Sequence, residues 1–193
     1  MQLIFATNNQ HKVQEISAAL TDGLQIITLK DAGIDIDIPE PHDTLIANAI
    51  EKATVIHQLT QQNCFSEDTG LEVAALHGAP GVRSARYAGD KADHKKNIAL
   101  LLKNMEGIAE RSAQFKTVIC LVLNNEQYFF TGICEGRIID TEIGTQGFGY
   151  DAVFVPNGSN KTFAQMDIAE KGQYSHRKKA LQQLIDFLNQ YHG

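Results

Sequence analysis

Two adjacent carboxylates stand in Ser66-Glu67-Asp68-Thr69-Gly70, directly after the apolar pair Cys64-Phe65. Hard oxygen donors of this kind suit Mg²⁺. If the segment is a strand ending near Gly70, alternation sends Glu67 and Asp68 to opposite faces, one for the site and one for structure. Ligands gather at such strand ends in open α/β sheets. The plainer reading is an Asp-Thr-Gly turn without chemistry. Glu40, in Pro39-Glu40-Pro41, is a second candidate oxygen donor, although loop glutamates are usually just solvated.

Positive charge is gathered at two helix starts. In Thr7-Asn8-Asn9-Gln10-His11-Lys12 an apolar strand delivers small polar residues into a turn that opens a helix, with Lys12 in its first turn. The amides and the positive dipole end there favour an anion; the alternative is a simple Asn9 cap with a solvated lysine. Near the C-terminus, Ser175 is a good N-cap for a helix whose first turn reads His176-Arg177-Lys178-Lys179, with Lys171 just upstream. Cations there oppose the helix dipole by about 0.3–1 kcal/mol each. That breach of the local rule points to an anionic ligand, against a merely solvated basic patch.

Gly147-Phe148-Gly149-Tyr150-Asp151-Ala152 formally matches the dinucleotide-binding pattern G-x-G-x-x-A. The reading fails, because no strand precedes it and Val153-Phe154-Val155-Pro156 follows where a helix is required. A tight loop exposing two aromatics and a carboxylate fits better, with ring faces for stacking on a base and Asp151 accepting from ring N–H groups. Core aromatics beside a turn are the alternative.

The elements that must position these groups follow from periodicity. Strands are expected at residues 3–6 and 24–29 and from residue 64, with helices over 11–20 and 43–59, the second carrying Leu45, Ile46, Ala49, Ile50, Ala53 and Ile56 on one face. A Gly- and Pro-marked loop covers 77–89, and a helix spans 93–105. Long β runs at 113–123 and 127–138 flank Asn124-Asn125-Glu126 as an antiparallel hairpin. A short strand at 153–155 and a helix over 175–191 complete the chain. The order implies an α/β protein with a mixed sheet and flanking helices, in one domain over 1–193.

Composition sets the outer limits. The chain has 193 residues, 43% hydrophobic, with net charge −6, which argues against a general nucleic-acid or anionic-membrane binder. Cys64, Cys120 and Cys134 lie in apolar runs and read as reduced core residues. The seven histidines show no zinc spacing. The start Met1-Gln2-Leu3-Ile4-Phe5 has no signal-like region, and no apolar run is long enough to span a membrane; a cytoplasmic setting is expected.

The motifs in this order resemble the inosine/xanthosine triphosphate pyrophosphatase family over nearly the whole chain. The resemblance is carried by Ala6-Thr7-Asn8-Asn9-Gln10-His11-Lys12, Glu67-Asp68-Thr69-Gly70-Leu71, Gly78-Ala79-Pro80-Gly81-Val82, Ser84-Ala85-Arg86-Tyr87, Gly147-Phe148-Gly149-Tyr150-Asp151 and Ser175-His176-Arg177. It implies two lobes with the active site in the cleft between them, a homodimer, and removal of deaminated purine nucleotides. It further implies that Thr7, Asn8, Asn9, Gln10, His11 and Lys12 hold a triphosphate. Glu40 and Asp68 would bind Mg²⁺, Asp68 also acting as base, and Thr69 would touch the substrate. Phe148, Gly149, Tyr150 and Asp151 would form the base pocket with His176 and Arg177, completed by Lys171. Two positions depart from the family pattern. Asn8 stands where many members have glycine, and Ile46-Ala47-Asn48-Ala49 lacks a glutamate found beside the Asn-Ala pair; Glu51 is the carboxylate one turn on.

The chemistry implied is attack of water on the α-phosphorus of ITP, dITP or XTP, with pyrophosphate leaving. Arg177 or a protonated His176 would donate to the purine 6-oxo group, and adenine's amino group would face those donors unpaired. A pyrophosphatase for modified pyrimidine triphosphates and a non-catalytic nucleotide sensor are the alternatives. A comparison of ITP with dTTP and UTP separates the first, and tight ITP binding without turnover marks the second.

Overall fold

A computed structural model describes residues 1–20 and 24–191. In chain order the elements are β1 (Gln2–Phe5), α1 (Gln10–Ala19), β2 (Gln25–Thr28), α2 (Leu45–Thr60), β3 (Cys64–Val73), β4 (Pro80–Gly81), α3 (His94–Asn104), β5 (Ser112–Leu123), β6 (Glu126–Ile138), β7 (Phe154–Pro156), α4 (Ile168–Tyr174) and α5 (His176–Gln190). The strands form one mixed sheet in the order β2-β1-β3-β5-β6-β7, with β4 beside β3. The expected α/β class with helices around a mixed sheet is observed. No helix among the described residues is long and apolar enough to cross a membrane.

The chain forms two compact units. The first takes Met1–Asp68, Thr117–Gly132 and the chain from Arg177; the second takes Thr69–Lys116 and Ile133–His176. In the first unit β1 pairs parallel with both β2 and β3. Its strands are continuously apolar because both sheet faces are covered. Leu3, Phe5, Phe65, Ile119 and Leu121 pack with Ile16 of α1 and Leu181 and Leu184 of α5. The intervening residues Ile4, Ala6, Cys64, Cys120 and Val122 pack with Ala49, Ala53 and Ile56 of α2. Period-two alternation thus makes a three-layer core. The sharp reversal between β5 and β6 rests on Asn124 and Asn125, at φ 52° and 67°, a left-handed pair that asparagine tolerates.

In the second unit Leu71 and Val73 of β3, Ala113 and Phe115 of β5, Cys134 and Ile138 of β6, and Phe154 of β7 pack against Ile98, Leu101 and Met105. Phe115 meets Phe154 edge-on, with ring centroids 4.7 Å apart.

Three expectations need correction. First, β3 does not end near Gly70 but runs on to Val73. Its start pairs with β1, and beyond Thr69 it gains a new partner: Leu71 faces Gly81 of β4. Glu67 and Asp68 therefore lie mid-strand, just past the end of β1. Second, α4 was not expected; it is a seven-residue helix capped by Asp167, with Glu170 in its first turn, too short to show a periodicity. Third, the buried stripe of α2 is Leu45, Asn48, Ala49, Lys52, Ala53 and Ile56. Ile46, expected on that face, is 44% exposed.

Gly70 is explained by this pairing. A Cβ there would sit 2.5 Å from the Gly81 carbonyl oxygen and 2.8 Å from its carbon. Gly70→Ala should therefore cost about 1–3 kcal/mol through overpacking, a melting-temperature loss of roughly 2–12 °C for a chain of this size. Thermal unfolding checks this, and an unchanged midpoint contradicts it.

Candidate functional site

In the first unit, the turn after β1 builds the start of α1. Asn9 is its N-cap, the side chain accepting from the amides of His11 and Lys12. The Thr7 hydroxyl accepts from Asn9 N at 3.2 Å, and Asn8 Nδ2 donates to Ile36 O at 2.8 Å. Gln10 and His11 are exposed. Asn9 is thus a structural cap, as the simpler alternative held, but Lys12 is not solvated. Its ammonium lies 3.0 Å from Glu67 Oε1.

Alternation along β3 separates the two carboxylates as expected. Glu67 is buried and receives Lys12 on one oxygen and Arg177 Nε on the other, at 3.1 Å. Arg177 is buried too, and its Nη1 is ion-paired with Glu15 of α1. Burial pushes the Glu67 carboxyl up, but Arg177 and then Lys12 outweigh it and hold it well below the usual range. Arg177, expected at a base pocket, is placed in this charge cluster.

Asp68 faces α2. Its Oδ1 accepts from Lys52 Nζ at 3.2 Å, and the same ammonium lies 2.5 Å from Glu40 Oε1. Asn48 Nδ2 reaches Asp68 Oδ2 at 3.4 Å. Burial pushes Asp68 up; Lys52 and Lys12 oppose this and Glu40 adds to it, leaving the carboxyl above its ordinary value. Burial lowers Lys52, but Asp68 and Glu40 outweigh it and keep the ammonium above its ordinary value. Glu51 is engaged with the His42 ring, at 3.5 Å.

Neither Lys52 nor Asn48 is assigned a role by the sequence motifs. The available signal was their place in the helical stripe 45-48-49-52-53-56, where a buried lysine and asparagine demand polar partners. Among the described residues, these contacts join three cations, Lys12, Lys52 and Arg177, to four carboxylates, Glu15, Glu40, Glu67 and Asp68. Glu40 and Asp68 already converge on one cation, and two carboxylates are the donor set by which Mg²⁺ is commonly held alongside substrate phosphates. The residues present fit a hard divalent cation.

The second unit holds the other candidates. Gly147 and Gly149 adopt φ of +74° and +61° and fold the loop tightly. Asp151, expected to be exposed, is buried; its Oδ2 accepts from Phe148 N at 2.9 Å and from Lys171 Nζ at 2.6 Å. A Cβ at Gly147 would collide with that carboxylate. Tyr150 is also buried rather than exposed, donating its hydroxyl to Ser84 O at 2.9 Å. Phe148 remains half-buried, with Lys171 Nζ 5.4 Å from its ring centroid. Thr69 is half-buried, and His176 is buried with its ring stacked on Phe115 at 4.8 Å. The arrangement offers an aromatic face beside a cation, the chemistry that takes a planar, electron-rich ring.

The chain is a member of the Ham1 family, whose model matches residues 3–187. It is 50% identical over 187 residues to a dITP/XTP pyrophosphatase of Flavobacterium psychrophilum, covering 97% of this chain and 98% of the relative. Among solved structures it is similar to the Staphylococcus aureus Ham1 protein, with TM-score 0.88, 36% identity, and coverage of 98% of this chain and 99% of that one. A HAM1 protein from Coxiella burnetii gives TM-score 0.89 at 34% identity, over 99% of this chain and 100% of that one.

Glu67 generates a stability prediction. Glu67→Gln leaves Arg177 and Lys12 without their shared anion, and breaking a buried pair from one side costs about 3–5 kcal/mol. Because the folded carboxyl is depressed below its ordinary 4.5, Glu67 contributes stability above that pH, lost as pH falls toward the folded value. Urea unfolding at pH 7 should show the deficit. Between pH 4.5 and 3 the wild type should lose stability more steeply than the variant, and parallel pH curves would contradict the assignment.

Proposed function

We propose that the chain hydrolyses deaminated purine nucleoside triphosphates, ITP, dITP and XTP, to the monophosphate and pyrophosphate. The observation that carries the reading is the Glu40–Lys52–Asp68 convergence beside the Lys12–Glu67–Arg177 network, in a chain of the Ham1 family whose relatives bear the name dITP/XTP pyrophosphatase.

Asp68 is the base. It orients a water, takes one proton, and the oxygen bonds to the α-phosphorus while the bond to the β-phosphate bridging oxygen breaks and pyrophosphate leaves. Mg²⁺ is the proposed cation at Glu40 and Asp68, and when bound it neutralises the phosphates. Lys12 and Lys52 add charge toward the phosphates as negative charge develops, with Thr7, Asn8, Asn9, Gln10 and His11 lining the phosphate turn and Thr69 beside the base. Phe148 offers the stacking face for the purine, with Gly149 giving the loop its turn. Tyr150, Asp151 and Lys171 fix that loop from beneath. His176 is the donor proposed for the 6-oxo group. Arg177, committed to Glu67 and Glu15, serves through the network. A homodimer in the cytoplasm is the proposed setting, on the family resemblance.

Incubation with ITP and Mg²⁺ should yield IMP and pyrophosphate, with ATP, dTTP and UTP poor substrates. Asp68→Asn should lower kcat by roughly 10²–10⁴, the usual worth of a general base. Full activity in that variant would remove Asp68 from the role, and preference for dTTP or UTP would favour the pyrimidine reading.

A further inference from the structure

Helix α2 grips the Glu40 loop at three points spaced by i, i+3 and i+4: Asn48 on the backbone of residue 42, Glu51 on the His42 ring, and Lys52 on Glu40 itself. Asn48 differs from the other two. It is 2% exposed. Its Oδ1 accepts from His42 N at 2.9 Å, and its Nδ2 donates to His42 O at 3.2 Å and to Asp68 Oδ2 at 3.4 Å. One carboxamide thus clamps both backbone groups of residue 42 and touches the opposite carboxylate. Between that clamp and Glu40 lies only Pro41, whose ring fixes its own φ.

These two links between Glu40 and Asp68 behave differently toward a cation. Lys52 bridges them as a point charge on a long flexible stem, at Asp68 Oδ1 and Glu40 Oε1. A dication approaching the same two oxygens repels that ammonium. The carboxamide is neutral, is held on a shorter stem, and uses the other oxygen of Asp68. It is a link that survives when Lys52 gives way.

We propose that Asn48 is a positioning residue for the metal, tying the Glu40 loop to Asp68 so that the two carboxylates stay paired once a divalent cation displaces the Lys52 ammonium. The inference rests on the functional reading above. Groups that orient metal ligands typically change metal affinity 10–100-fold when removed.

The test uses the full chain, Asn48→Ala and Asn48→Ser. Mn²⁺ binding is measured without nucleotide by the free-ion electron paramagnetic resonance signal. The Mg²⁺ concentration for half-maximal pyrophosphate release from ITP, the KM for ITP at saturating Mg²⁺, and the melting temperature are measured in parallel. Both variants should need about tenfold more of either cation, or greater, with KM for ITP unchanged at saturating Mg²⁺. A variant with a lowered melting temperature but wild-type Mn²⁺ and Mg²⁺ midpoints makes Asn48 merely structural and overturns the proposal. If Asn48→Ala fails to fold, Asn48→Ser decides by the same midpoints. A wild type that cleaves ITP with variants that match it sinks this inference alone. A wild type that neither binds Mn²⁺ nor cleaves ITP sinks the functional reading and this inference with it.

Discussion

A carboxylate with no exposure to water, in the middle of a strand, is the constraint around which the first unit is arranged. Glu67 remains ionised there because Lys12 and Arg177 close on its two oxygens. Removing such charges from water costs several kcal/mol each, and only close, well-directed pairing offsets it. The pairing draws α1, β3 and α5 to one point, through Lys12 and Glu15, Glu67, and Arg177. It also fixes the phase of β3. With Glu67 turned to α1 and α5, Asp68 must turn to α2, where Lys52, Glu40 and Asn48 meet it.

The basic start of α5 reads differently in this light. Its apparent conflict with the helix dipole is resolved for Arg177 by protein carboxylates, Glu67 and Glu15, rather than by a ligand alone. The same local rule-breaking that signals an anion in sequence therefore identifies an internal counter-ion in the structure. On the other side of β3 the arrangement is reversed: one ammonium, Lys52, is shared by two carboxylates, and their convergence on one point is the feature that favours a divalent cation. The proposed chemistry uses that asymmetry, one carboxylate saturated with cations and its neighbour kept as a base.

Much of this was legible in the sequence because it is local. Apolar runs and the Asn124-Asn125 reversal gave the strands and the hairpin, and the Glu67–Asp68 division followed from alternation alone. Asn9 as a cap follows from its place before an amphipathic segment. What stayed hidden depends on distant partners. The continuation of β3 past Gly70 needs β4, and the burial of Tyr150 and Asp151 needs Ser84 and Lys171. Lys52 and Asn48 were readable in principle from the stripe they interrupt, but a stripe built on Ile46 and Ile50 looked more apolar and concealed them. Helix α4 is too short for any periodicity to show.

In the proposed reaction a water activated at Asp68 attacks the α-phosphorus. Hydrolysis of ITP in ¹⁸O-enriched water, followed by mass spectrometry of both products, tests it most directly. The label should enter the phosphate of IMP and leave pyrophosphate unlabelled. Label in the pyrophosphate instead would place the attack on the β-phosphorus and contradict it.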